Sequence, residues 1–121
     1  MKAYTDLEQS KKLAKILPLE SADMYYINGN TITIGKWKDD THDEDDLPCW
    51  SLAALLEQLP YEICDDEGNS FYLSMYKEDY EYQLVYSDPY CMFDDIETDT
   101  YDDFVDACVE MIIHLQELKM L

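Results

Sequence analysis

The chain has 121 residues, 47% of them hydrophobic and 13% aromatic, and sets 28 Asp and Glu against 8 Lys and no Arg, for a net charge of −20. Apolar content at this level, with 11 Tyr, excludes a disordered acidic tail, because such a chain can bury a core. The same charge repels phosphate and argues against direct binding to nucleic acid or to an anionic membrane.

Thr5-Asp6-Leu7-Glu8 has the form of a capping box, with Thr as N-cap and Glu three residues on. Leu7, Leu13, Ala14, Ile16 and Leu17 follow at helical spacing and Pro18 ends the pattern, which predicts a helix over 5–16. Met24–Ile27, Asn28-Gly29-Asn30 and Thr31–Trp37 predict a hairpin, since Asn-Gly supplies the positive φ angles of a tight turn. The acidic run 39–46 is read as a loop. Leu47-Pro48-Cys49-Trp50 opens a helix over Ser51–Leu59, closed by Pro60, with Leu52, Leu55, Leu56 and Leu59 as its apolar stripe. Trp50 is read as a staple at the helix entry.

Residues 61–93 alternate in the manner of an antiparallel meander. Strands are expected at 61–64, 71–76 and 80–86, with turns at 65–69, 77–79 and 87–89 and a last short strand over 90–93. Asp99-Thr100-Tyr101-Asp102-Asp103 precedes an expected long helix that runs to about Lys119, with Phe104, Cys108, Met111, Ile112, Leu115 and Leu118 as its core face. Acids at its start suit the helix dipole. The order α-β-β-α-β-β-(β)-α predicts one α+β domain over residues 1–121, an antiparallel sheet with helices packed on one face.

The charge is unevenly spread: residues 1–22 sum to +1 and residues 23–121 to −21. Two acidic runs supply the candidate binding residues. The first is Asp39, Asp40, Asp43, Glu44, Asp45 and Asp46; the second includes Asp94, Asp95, Glu97 and Asp99. Six carboxylates in the first run could attract a divalent cation. The run lacks the D-x-D-x-D-G core of a calcium loop, so it reads as solvated loop, and no metal or cofactor is expected.

Cys49, Cys64, Cys91 and Cys108 form no C-x-x-C pair and read as buried free thiols of a reducing compartment. Cys49 is the thiol of most interest, because a helix N-terminus can lower a thiol pKa. His42 has no metal-ligating partner within four residues except acids, and His114 reads as a half-exposed residue near a helix end. There is no phosphate-binding Gly loop and no nucleophile with an evident base, so no catalytic residue is assigned. Tyr72, Tyr76, Tyr80, Tyr82, Tyr86 and Tyr90 crowd the meander among acids. Such a face would suit a basic protein, although tyrosines also simply fill half-buried sheets. No signal peptide and no membrane-length apolar run is visible, which predicts a cytoplasmic protein.

Four segments, Tyr4–Ala14, Ser21–Tyr26, Pro48-Cys49-Trp50-Ser51-Leu52-Ala53-Ala54-Leu55-Leu56 and Asp106–Ile112, carry a resemblance. Together they resemble a family of short uncharacterised proteins encoded in the prophages and mobile elements of gut bacteria. The Pro48–Leu56 run is its most specific part. The resemblance implies no activity, but its setting implies interference with, or protection from, host defence. The expected function is therefore a non-enzymatic acidic protein that docks a basic protein partner, as an inhibitor, DNA mimic or toxin-neutralising protein would. The alternatives are an accessory domain whose acidity serves only solubility, and a small metal- or thiol-dependent enzyme using Cys49 and His42.

Overall fold

The structure, a computed structural model, describes residues 2–38 and 42–121. The fold class is α+β: among the described residues there are three α-helices and two antiparallel sheets, so the strands are divided between two sheets where the sequence suggests one. The chain comprises two compact units, Lys2–Gln58 and Leu59–Leu121, each with its own sheet.

In the first unit, helix α1 spans Leu7–Leu13. Its capping box lies one residue later than the sequence suggests: Asp6 accepts the Gln9 amide at 2.8 Å, and the Gln9 side chain accepts the Asp6 amide at 3.1 Å. Thr5 is occupied elsewhere. Its Oγ1 accepts the Trp50 amide at 3.1 Å and pairs with Ser10 Oγ at 2.8 Å, and its carbonyl accepts the Tyr26 hydroxyl at 2.8 Å. Beyond α1, a 3-10 turn covers Leu19–Ser21.

Strands β1 (Met24–Ile27) and β2 (Thr31–Ile34) form the expected hairpin. The Asn30 amide bonds to the Ile27 carbonyl across Asn28 (φ 51°) and Gly29 (φ 77°), the paired positive angles that an Asn-Gly turn provides.

Strand β3 (Leu47–Cys49) adds to the other side of β1, giving the order β2-β1-β3. The sequence reads this segment as a helix entry. Pro48 is compatible with a strand here because β3 is an edge. Met24, Tyr26 and Cys49 make one buried cluster of this unit, with Tyr4, Leu7, Ile32 and Leu47 packed on it.

Trp50, at the entry to the next helix, is fully buried, and its indole N–H donates to Ser21 Oγ at 2.9 Å, so it packs as a core anchor. Helix α2 spans Leu52–Gln58. Ser51 caps it by accepting the Ala54 amide, and Ser51 is itself held by Asp23 through its amide and its hydroxyl.

In the second unit, β4 (Glu62–Cys64), β5 (Ser70–Glu78), β6 (Glu81–Ser87) and β7 (Ile96–Glu97) form one sheet in sequence order. The β5–β6 turn falls at Asp79-Tyr80, with Asp79 at φ 53°, so Lys77 and Glu78 are in the strand. The segment 90–93 is not a strand, because the Asp88 carboxylate takes the Tyr90 and Met92 amides and curls the chain.

Helix α3 (Phe104–Glu117) follows the 99–103 segment as expected, starting at an Asp103 N-cap whose side chain accepts the Val105 amide. It packs on β6. Val105, Cys108, Met111, Ile112 and Leu115 are buried with Leu84 and Tyr86 of the sheet, while Leu118 is exposed. Among the described residues no helix is long and apolar enough to cross a membrane.

Candidate functional site: two acidic segments

Of the first acidic run, Asp39 and Asp40 lie outside the described residues. Asp43, Glu44 and Asp45 are exposed. Asp46 is not a surface charge: its carboxylate accepts the Asn28 amide at 3.2 Å and the Asp43 amide at 3.1 Å, and it meets His42 Nδ1 at 3.3 Å. The Asp43 and Asn28 amides, which favour the charged form, hold its pKa below the ordinary carboxylate value.

His42 is locked from every side. Its Nε2 accepts the Lys38 amide at 3.0 Å, which leaves Nδ1 as the donor to Asp46. Its ring stacks on Trp37 with centroids 3.8 Å apart and meets the edge of Tyr25 at 4.7 Å. His42 and Asp46 therefore tie the loop to the β1–β2 turn. Beside them a groove of about 300 Å³ is lined by Leu7, Lys11, Asn28, Glu44, Asp45 and Leu47.

Asp94, Asp95, Glu97 and Asp99 are all exposed in the second unit. Here the backbone sets the geometry. Glu97 pairs with Val85, and Ile96 with Tyr86. Thr98, 2% exposed, exchanges backbone and side-chain hydrogen bonds with Leu84. Side chains alternate along an extended chain, so Ile96 and Thr98 turn inward and Glu97 and Asp99 outward. The side chains of Asp94, Asp95 and Glu97 have no ion pair or hydrogen bond among the described residues. Asp99 donates its amide to Glu110 Oε2 at 3.1 Å.

No protein-family model, curated protein or solved structure matches the chain.

The tyrosine set divides. Tyr86 is fully buried and donates to the Pro60 carbonyl at 2.6 Å, and Tyr82 packs edge-on against Phe104 at 5.2 Å. Tyr86 fills the core, and Tyr82 is half-buried. Strand register puts Tyr72 and Tyr76 on one sheet face with Glu62, Glu78 and Glu81. There Glu62 accepts the Tyr72 hydroxyl at 3.1 Å, a bond that raises the Tyr72 pKa. Tyr80 and Tyr90 project from turns.

The thiols also divide. Cys64 and Cys91 are exposed, contrary to the expectation of four buried thiols. Cys49 is fully buried in a strand against Thr5, and burial pushes its thiol pKa up, the reverse of what a thiolate nucleophile needs. Burial likewise pushes Cys108 up to about 12. Among the described residues no three His, Cys, Asp or Glu side chains converge as a metal-ligand set.

Sequence reading missed Asp88. It sits outside both acidic runs and is 7% exposed, with each oxygen accepting one backbone amide. The signal available was Ser87-Asp88-Pro89, an Asp poised to bond the amides of the turn after it.

Proposed function

We propose that the protein is a non-enzymatic, strongly acidic binding protein that docks a basic protein partner. The observation that carries this reading is the 94–97 segment: three exposed carboxylates on and beside a sheet edge, with no cation of the chain's own among the described residues. No Lys occurs anywhere between Lys77 and Lys119, so this side of the sequence offers negative charge alone. Uncompensated charge of one sign speeds encounter with a partner of the other sign and makes the association sensitive to salt. The tyrosines on the β5 face add rigid contact area with a polar tip. The resemblance to proteins of mobile elements favours a partner in host defence, or a toxin that the protein neutralises.

The test is affinity capture from a bacterial lysate at low and high salt, using the natural chain and the triple variant Asp94→Asn, Asp95→Asn, Glu97→Gln. The expected result is a basic protein retained at low salt, released at high salt, and retained at least tenfold less by the variant. Recovery of no basic protein at low salt, or equal recovery by the variant, refutes the reading.

A further inference from the structure

In the second unit the 68–72 and 88–93 segments enclose a groove of about 300 Å³, lined by Asn69, Tyr72, Asp88, Tyr90, Met92 and Phe93 among others. We infer that this groove takes the guanidinium of an arginine side chain presented by a basic protein segment. The inference deepens the docking reading above and rests on it.

Three features converge on this occupant. The first is Asp88, buried, lining the groove, and without a cationic partner among the described residues. Its two oxygens each accept one amide, while a carboxylate offers about four acceptor sites, so capacity for a donor pair remains. A buried carboxylate without a counter-charge gains most from a cation.

The second feature is the ring lining. Tyr90 is 80% exposed and Met92 75% exposed at the rim. Phe93 is braced on Phe71 at 6.3 Å, and Tyr72 is braced on Tyr61 at 5.5 Å. Exposed aromatic faces beside a carboxylate recognise cations. The third is the surround. Glu62, Asp65, Asp66 and Glu67 precede the groove's first segment, Asp94 and Asp95 follow its second, and neither stretch contains Lys. The groove of the first unit lacks this character, because Lys11 already lines it.

Arginine fits better than lysine. The planar guanidinium stacks on rings, offers a donor pair to one carboxylate and sheds water readily, whereas an ammonium is a compact, strongly hydrated charge. A second copy of this chain is a poor occupant: it carries no Arg and the same charge of −20.

The test is a titration of the full chain with N-acetyl-arginine amide, N-acetyl-lysine amide and N-acetyl-citrulline amide, followed by backbone amide NMR. The expected result is saturable shifts confined to residues 68–72 and 88–93 with the arginine probe, at least threefold weaker affinity for the lysine probe, and no response to citrulline, which keeps the shape and loses the charge. Tyr90→Ala, at an exposed position that leaves the fold intact, is expected to weaken the arginine probe about threefold. Asp88→Asn, which keeps one acceptor for the turn, is expected to weaken it about tenfold or more.

Shifts spread over all acidic surfaces, an equal response to lysine or citrulline, or an unchanged titration with Tyr90→Ala overturns the inference. If the arginine probe leaves the groove unmoved while a basic protein is still captured in a salt-sensitive way, the groove assignment falls and the docking reading stands. If no basic protein is captured at all, both fall.

Discussion

The two acidic segments look alike in sequence and are built in opposite ways. In the 42–46 segment a carboxylate makes the loop: Asp46 gathers two amides and His42, and His42 is clamped between Trp37 and Tyr25. In the 94–99 segment the backbone, Ile96 and Thr98 make the structure, and the outward carboxylates are left over. Acidity is thus partly a local structural device and partly surface charge whose side chains have no bond among the described residues. One further cause acts on Glu97 and Asp99. They lie along an edge of the sheet, where outward charges discourage pairing with another strand.

The contrast extends to the interiors. The first unit is organised round a buried polar hub at Thr5, and the second round an apolar sheet face and α3. Thr5→Val should therefore have the largest effect. It leaves the Trp50 amide and the Ser10 hydroxyl without their partner in a buried place, which costs about 1–3 kcal/mol. Urea denaturation would read this as a lower midpoint at unchanged slope. A midpoint equal to that of the natural chain would mean that the hub is not what holds Trp50.

Thr5 also illustrates how far the sequence is legible. Thr5-x-x-Glu8 and Asp6-x-x-Gln9 are both box-shaped, and only the long-range demand of Trp50 and Tyr26 on Thr5 decides between them. Short-range chemistry is readable: Asn28-Gly29 makes its turn, β5 and β6 pair as an antiparallel meander, and α3 shows its apolar stripe. Elements fixed by distant partners are not. Strand β3 is three residues with a proline, recognisable only once β1 lies beside it. Strand β7 is two residues within an acidic run, and Tyr90–Phe93 has strand composition but loses its amides to Asp88. Of the binding candidates, the charge was evident in the sequence. That Asp46 is consumed by structure, while Asp94, Asp95 and Glu97 are not, depends on contacts across 18 residues in one case and on their absence in the other.

The next effect is smaller and depends on pH. Hydrogen bonds hold the Asp46 carboxyl below its ordinary pKa, and the same direction holds for Asp65, through Asn69, and for Asp6. A carboxyl whose folded pKa is depressed binds its proton more readily when unfolded. Its contribution is present above the unfolded value, about pH 4, and is lost as pH falls through the folded value. Asp46→Ala is accordingly expected to lower the melting temperature by several degrees at pH 7, with the gap to the natural chain narrowing as the pH falls below the unfolded value and through the folded one. A gap that is constant with pH would show that the loop depends on the shape of Asp46 and not on its charge.

The smallest effect on stability belongs to the triple variant Asp94→Asn, Asp95→Asn, Glu97→Gln. None of these side chains is bonded to another described residue, so nothing inside the fold is lost when they are neutralised. Removing three like charges from a chain of −20 also relieves self-repulsion. Exposed substitutions away from caps and networks are close to neutral, and the melting temperature should stay within about 2 °C of the natural value or rise slightly. A drop of the size expected for Asp46→Ala would erase the contrast between the segments and make 94–99 a structural loop as well. An unchanged melting temperature together with lost capture of a basic protein would separate folding from binding at three named carboxylates.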